Sequence, residues 1–141
     1  MINIFRYCIR KFNEYYFHKL DDKEIEKATS ILNDAEKLIF YNMSSYDKYH
    51  SFNVYEKLKI HNVPKIYLKL ALLHDCGKHN ISFLIRVLHK LRFKTILREH
   101  PYLGYEKLKD IDIELANLIR LHHSEAQNEY MKLFQDADDR S

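Results

Sequence analysis

The sequence has very few of the residues that let a chain reverse direction sharply. Only two glycines and two prolines occur among its 141 residues. A fold built from strands needs many hairpins, and their tight turns depend on glycine and other special turn residues. An all-β fold is therefore disfavoured.

Cysteine is just as scarce. Cys8 and Cys76 are too few for a disulfide framework and do not form a CxxC pair. Such cysteine usage is typical of proteins in a reducing compartment. We therefore expect a cytoplasmic location.

Long apolar runs and blocks of like charge are also lacking. No segment approaches the apolar length of a membrane span, and the N-terminal stretch is interrupted by Arg6, Arg10, Lys11 and Glu14, unlike a secretory signal. We expect no membrane insertion, and an amphipathic N-terminal helix. The net charge of +3, with both signs interspersed, permits an anionic ligand but indicates no specific nucleic-acid partner.

Apolar residues instead recur at the spacing of helices. Two sets each fall on one helical face: Ile31, Ala35, Leu38 and Ile39, then Ile111, Leu115, Leu118 and Ile119. The fold class predicted is all-α, a compact bundle of about six to eight helices. A chain of this length has room for one hydrophobic core, so residues 1–141 are expected to form a single domain.

Helix starts are signalled by capping residues and prolines. Pro64 and Pro101 suit the first helical position, and Asp22, Ser45 and Asp112 are plausible N-caps. The predicted helices cover residues 3–18, 22–41, 45–61, 65–75, 81–92, 101–109, 112–123 and 126 to the end.

The segment LALLHDCGK, residues 70–78, carries the strongest chemical signal. Adjacent helical residues point about 100° apart, so His74 and Asp75 can share one ion only near a helix end. Gly77 can stop the helix there by adopting a left-handed backbone. A histidine and an aspartate buried after so apolar a run need partners, and a metal ion is an efficient one. The alternative for this segment alone is an ordinary polar pair at a helix end.

Three further His and Asp residues fall on core-facing stripes of separate predicted helices. His50 shares a row with Val54 and Leu58, His122 continues the row of Leu115 and Leu118, and Asp138 follows Tyr130, Phe134 and Ala137. Converging on the His74–Asp75 pair, they would form a nitrogen and oxygen ligand set suited to manganese, iron, zinc or nickel.

Three more residues have two interpretations each. His100 precedes Pro101, which favours a cap position from which its side chain can project. His123 follows His122 and is either a further ligand or a polar neighbour at the helix edge. Lys78 could reach a phosphate as a flexible charge, or simply favour a helix C-terminus.

The remaining histidines and a helical glycine have structural interpretations. Gly104 lies inside a predicted helix at a cost of roughly 1 kcal/mol relative to alanine, so close packing against a neighbouring helix is expected there. Four histidines are expected on the surface: His18, His61, His79 and His89.

Taken in order, these residues resemble the HD superfamily of metal-dependent phosphohydrolases. HDCGK is similar to its HD-x-GK motif, EHPYLGYEKL to its HP-x-x-G helix, and IRLHH and ADD to its two closing elements. The resemblance covers residues 44–139 as a metal-site core, with residues 1–43 as N-terminal helices packing on it. The ordered set is His50, His74 with Asp75, His100, His122 with His123, and Asp138.

The resemblance implies an all-helical bundle around one or two divalent metals. The first metal would be bound by His50, His74, Asp75 and Asp138; the second by His100 and His122, with His123 as a further candidate and Asp75 bridging. Iron or manganese is favoured if the centre holds two ions. Cyclic-dinucleotide cleavage is less favoured, because no GYP signature follows His123 and Tyr46 stands where some members of that subfamily have a glutamate ligand.

The expected activity is hydrolysis of a phosphate ester of a nucleotide or related small molecule by metal-activated water. Asp75, Lys78 and His100 are the predicted catalytic residues. One alternative is a metal- and nucleotide-binding sensor, or an interaction domain for a partner protein, with little or no turnover. A purely structural metal site would normally be closed by four ligands, and the surplus histidines argue against it. The sequence leaves open the substrate, the metal and the oligomeric state, and the pocket walls that select the substrate are expected around residues 79–98.

Overall fold

A computed structural model describes residues 3–78 and 99–141 of the chain. Within these ranges the secondary structure is entirely helical, which confirms the predicted fold class. None of the described helices combines the length and apolar character needed to cross a membrane. The helices are α1 (Ile4–Phe17), α2 (Asp22–Thr29), α3 (Asp34–Tyr41), α4 (Ser45–Lys59), α5 (Lys65–Leu73), α6 (His100–Leu108), α7 (Ile113–Leu121) and α8 (Glu129–Asp139).

Helix α5 lies at the centre of the described bundle and packs against α3, α4, α7 and α8. Its last four residues, LALL at 70–73, are completely buried. A helix that is apolar on all sides is stable only when neighbours surround it. The residues that directly follow α5 are therefore delivered into the interior of the protein.

The N-terminal helices contact later parts of the chain. Helix α2 contacts α4, and α3 contacts α5. On α1, Lys11 Nζ donates to the backbone carbonyl of Ser141 at 2.7 Å. His18 Nε2 lies 2.8 Å from Ser45 Oγ, so His18 is half-buried rather than on the surface as predicted. His61 is also half-buried, and His79 and His89 lie outside the described residues.

The single helix predicted over residues 22–41 is wrong, because the chain forms two helices there. Asn33 and Glu36 make a capping box: Glu36 N donates to Asn33 Oδ1 at 2.8 Å, and Asn33 N donates to Glu36 Oε1 at 2.8 Å. This reciprocal pair satisfies two backbone amides at the start of α3. The Asn-x-x-Glu spacing of this capping box is visible in the sequence. The hydrogen bonds of the capping box thus start a new helix within a segment whose apolar periodicity favours one continuous helix.

The other helix starts fall close to their predicted positions. Asp112 caps α7 as predicted and accepts a hydrogen bond from Leu115 N at 3.1 Å. The caps of α2 and α4 are Asp21 and Ser44, one residue before those predicted. Pro64 is the N-cap of α5, and Pro101 lies in the first turn of α6. The helix predicted over residues 81–92 lies outside the described residues.

Candidate metal centre

Four side chains from three helices and one turn meet at the inner end of α5. His74 caps the C-terminus of α5, and Asp75 follows in the turn. His50 projects from the middle of α4, with its Nε2 atom 2.8 Å from Oδ1 of Asp138 on α8. His74 Nε2 lies 3.3 Å from Asp75 Oδ2 and 3.3 Å from Asp138 Oδ1. We call His50, His74, Asp75 and Asp138 the first ligand group.

Three imidazoles form a second ligand group beside the first: His100, His122 and His123. His100 opens α6, and His122 caps the C-terminus of α7, with His123 next to it. The Nε2 atom of His100 lies 3.2 Å from that of His122 and 3.2 Å from that of His123. One nitrogen from each residue lies within 4.8 Å of the others, which is close enough for a shared cation.

Asp75 connects the two ligand groups through its two carboxylate oxygens. Oδ2 faces the first group, 3.3 Å from His74 Nε2 and 3.8 Å from His50 Nε2. Oδ1 faces the second group, 3.2 Å from His100 Nε2. A carboxylate in this arrangement can serve both groups at once.

Backbone carbonyls orient two of the imidazoles. His74 Nδ1 lies 2.9 Å from Ala71 O, and His122 Nδ1 is hydrogen-bonded to Ile119 O. Carbonyls in the last helical turn have no amide partner within the helix, so each can accept the Nδ1–H of a histidine at the helix end. The proton assigned to Nδ1 leaves the Nε2 lone pair directed into the centre, as metal-binding histidines require.

The polar atoms inside this centre fit a divalent cation. His74 Nε2 is buried and, although it lies 3.3 Å from one oxygen of Asp75 and one of Asp138, it makes no well-aligned hydrogen bond among the described residues. His100 Nε2 faces two other Nε2 atoms, and one proton on His100 can satisfy only one of those contacts. A cation shared by the facing nitrogens and carboxylate oxygens satisfies all of them, and such nitrogen and oxygen donors suit first-row divalent metals.

The titration of the first ligand group follows from its two buried carboxylates. Burial by itself lowers the pKa of His74, but Asp75 and Asp138 outweigh burial and raise this pKa to about 10. Burial by itself raises the pKa of each carboxyl, but the histidines outweigh it and hold both pKa values well below their usual range. Both carboxylates are therefore ionised at neutral pH, and their charge attracts either a proton or a cation to His74 Nε2.

Two imidazoles of the second ligand group, those of His122 and His123, are held neutral instead. Burial, followed by the neighbouring histidines, lowers the pKa of His122 well below its usual range. Desolvation and then His100 lower the pKa of His123 to about 4, because its ring faces His100 although the residue as a whole is exposed. Neutral imidazole is the form that binds metals. These two histidines therefore need no proton removed before ligating.

The side chains of the centre differ in how far they are exposed. His74, Asp75, His100 and His122 are at most 2% exposed and form its floor. His50 and Asp138 are 13% and 14% exposed at the rim. The Lys78 side chain is 15% exposed there, with Nζ 3.1 Å from Asp75 Oδ2. These three partly exposed side chains form the rim of the centre within residues 3–78 and 99–141.

Gly77 serves a different purpose from the one predicted, because its backbone is not left-handed. A Cβ at this position would lie 2.1 Å from the carbonyl oxygen of His100 and 2.6 Å from Gly104 N. The turn after α5 thus packs directly against the backbone of α6. Glycine is required by this close approach rather than by its ability to end a helix. The close packing predicted for Gly104 is confirmed, since its own Cβ would lie 2.7 Å from Ile119 Cγ2.

The structure brings together every metal ligand predicted from the sequence, with Lys78 beside them. Sequence reasoning missed two residues that support the turns carrying the ligands. Lys107 Nζ donates to Cys76 O at 2.6 Å. Gln135 Nε2 donates to His122 O at 3.2 Å and to Ser124 O at 2.7 Å. Lys107 shares a helical row with His100, and this spacing was the available signal.

The all-helical bundle and the histidines and aspartates clustered at its centre together indicate the family to which the chain belongs. The HD domain family model matches residues 47–141, which is more than half of the chain, so the chain belongs to the HD domain family. This confirms the resemblance drawn from the ordered motifs. The search of curated proteins found no match, and the search of solved structures found none either.

Proposed function

We propose that this protein is a metal-dependent phosphohydrolase that cleaves a phosphate ester of a nucleotide or related small molecule. The observation that carries the proposal is Asp75, which is buried and directs one oxygen to each ligand group. Membership of the HD domain family supports the same reaction class. The seven candidate ligand residues exceed the four that normally close a structural site, which supports a catalytic site.

The two ligand groups would hold one or two divalent ions, with iron or manganese favoured for a pair. A bound divalent cation lowers the pKa of water towards neutrality and offsets charge on phosphoryl oxygens. The chain contributes fixed geometry, because Ala71 O and Ile119 O orient His74 and His122 before any ligand arrives. Preorganised ligands lose little free energy to rearrangement on binding.

Lys78 is the proposed contact for the substrate phosphate. Its ammonium lies at the rim and pairs with Asp75 Oδ2 at 3.1 Å. A flexible side chain of this kind can move its ammonium group towards an incoming phosphate oxygen while staying near the carboxylate. His100 is 2% exposed and faces Asp75 and His122, so this geometry favours a ligand role for His100 over direct contact with substrate.

A covalent mechanism through cysteine is disfavoured. Cys76 adjoins Asp75 in sequence, but burial raises the pKa of its thiol to about 12. The thiolate is the nucleophilic form, and it is almost unpopulated at neutral pH when the pKa is so high. Hydrolysis by water fits the buried ligands better.

The proposal is tested on purified protein by metal analysis and a panel of phosphate esters. The panel should contain nucleoside monophosphates, p-nitrophenyl phosphate and cyclic dinucleotides, each assayed with Mn²⁺ and Fe²⁺. We expect His74→Ala plus Asp75→Ala to abolish hydrolysis and metal binding. The matched control is His61→Ala plus Asp110→Ala, which removes the same residue types from turns outside both ligand groups.

Two results would contradict the proposal. Full activity in the His74→Ala plus Asp75→Ala variant would exclude this centre as the site of reaction. Tight binding of metal and nucleotide with no product released would favour the sensor function instead. Both results are read against the control variant, so a general loss of folding is recognised separately.

We also propose a cytoplasmic location. Cys8 lies on α1 and Cys76 beside the metal centre, and both thiols are free. Free thiols persist in reducing compartments. Fractionation of cells producing the full chain would contradict this location if the protein were recovered outside the cytoplasm.

A further inference from the structure

One row of α6 faces the turn that carries Asp75. His100, Gly104 and Lys107 are spaced four and three residues apart, which places them on the same side of the helix. Each contacts a different part of the turn formed by residues 75–78. At the first position, His100 Nε2 lies 3.2 Å from Asp75 Oδ1.

At the second position the two backbones touch. Gly77 has no room for a Cβ beside Gly104 N and the His100 carbonyl, and Gly104 has no room for one beside Ile119. Contacts of this kind leave little freedom for the turn to slide along α6, because closely packed backbone atoms cannot rotate out of the way as a side chain can.

At the third position, Lys107 adds a hydrogen bond between α6 and the turn. Its ammonium donates to Cys76 O at 2.6 Å, one residue beyond Asp75. This carbonyl follows the end of α5, where carbonyls lack amide partners within the helix. Lys107 itself is exposed, so its side chain can be changed without opening the core.

We propose that Lys107 is a positioning residue of the metal centre, which holds the Asp75 turn against α6 so that Oδ1 serves the second ligand group. The inference rests on the metal centre of the proposed function. His100 is part of α6, whereas His50, His74 and Asp138 belong to α4, α5 and α8. Loosening the turn from α6 therefore disturbs the site between Asp75 and His100 more than the first ligand group.

The test is Mn²⁺ binding to the full chain with Lys107→Met, which keeps the length of the side chain and removes its donor. We expect the first Mn²⁺ to bind as in the unchanged protein and the second to bind roughly 10–100-fold more weakly, the usual effect of losing a supporting contact around a metal site. Calorimetric titration measures both affinities. Electron paramagnetic resonance should show the signal of a coupled Mn²⁺ pair replaced by that of isolated Mn²⁺.

Two companion variants make the result specific. Lys107→Arg retains a donor and should restore binding of the second ion. Lys109→Met is the matched control, because Lys109 is a half-exposed lysine two residues away that pairs with Glu106 at 2.7 Å and contacts neither ligand group. It should bind both ions with unchanged affinity and give the paired signal.

Three outcomes would overturn the inference, and they separate it from the proposed function. Two ions bound by Lys107→Met with unchanged affinity would show that positioning does not depend on Lys107. Equal weakening of both ions with a lower melting temperature would indicate general stabilisation only. A single Mn²⁺ in the unchanged protein would refute this inference but not the hydrolase, whereas no bound metal under any condition would refute both.

Discussion

The metal centre depends at the residue scale on which nitrogen of each imidazole faces inward. His74 and His122 each terminate a helix, and each uses Nδ1 to satisfy a carbonyl of the preceding turn. The same backbone geometry that ends the helix thus directs Nε2 towards the ligands. A histidine in the middle of a helix has no such carbonyl available, and His50 is held instead by Asp138 Oδ1 at 2.8 Å.

The two cysteines are expected to differ in reactivity. Cys76 is 1% exposed, and burial raises the pKa of its thiol to about 12, while Cys8 is half-buried on α1. In the native protein a thiol reagent at neutral pH should modify Cys8 and leave Cys76 unmodified, whereas both should react in denaturant. Peptide mass spectrometry identifies the labelled residue. Native labelling of Cys76 as fast as Cys8 would contradict the burial described.

Packing of α6 at the element scale depends on a glycine within the helix. Gly104→Ala gains helix propensity of roughly 1 kcal/mol. The added Cβ would lie 2.7 Å from Ile119 Cγ2 and 3.3 Å from Cys76 Sγ, and overpacking of a buried contact costs roughly 1–3 kcal/mol. We expect net destabilisation by about 1 kcal/mol. Urea denaturation measures the change, and a more stable variant would show that α6 can move away.

The boundary between α2 and α3 also makes a testable contribution to stability. Glu36 is completely buried, accepts the hydrogen bond from Asn33 N in the capping box of α3 and pairs with Lys69 Nζ at 3.0 Å. Glu36→Ala removes this half of the capping box and leaves a partly buried ammonium unpaired. We expect a loss of about 3 kcal/mol in the free energy of unfolding, the lower end of the range for breaking a buried ion pair.

The control for this prediction is Glu26→Ala, which removes an exposed glutamate from α2. Surface substitutions of this kind change stability by roughly half a kcal/mol or less. Similar denaturant midpoints for the Glu36 and Glu26 variants would show that the buried pair contributes no more than a surface charge.

For the molecule as a whole, binding of a metal at the proposed centre would be coupled to folding, because the candidate ligands come from five helices and the turns that follow them. A cation that binds only the folded protein adds about 2.7 kcal/mol of stability when its free concentration is a hundredfold above Kd. Mn²⁺ should therefore raise the melting temperature and EDTA should reverse the shift. The His74→Ala plus Asp75→Ala variant should show no shift, and an equal shift in that variant would place the bound ion elsewhere.

The sequence by itself determined the helical class, because scarce glycine and proline together with helical apolar spacing are local properties. It also predicted the candidate ligand residues as an ordered set, since histidines and aspartates on apolar stripes have few stable alternatives to a shared partner, and the structure brings these residues together. The split between α2 and α3 was readable too, from Asn33 and Glu36, but the longer apolar pattern obscured it.

The resemblance to the HD superfamily implied two groups of candidate ligands with Asp75 between them, but only the tertiary structure decided that Asp75 directs Oδ2 to one group and Oδ1 to the other. It also decided that Gly77 is needed for close approach to α6, and that Lys107 and Gln135 hold the turns that carry ligands. These features join residues distant in the chain through backbone atoms. Backbone atoms are the same in every residue, so their contacts depend on how helices pack and leave little trace in the order of the side chains.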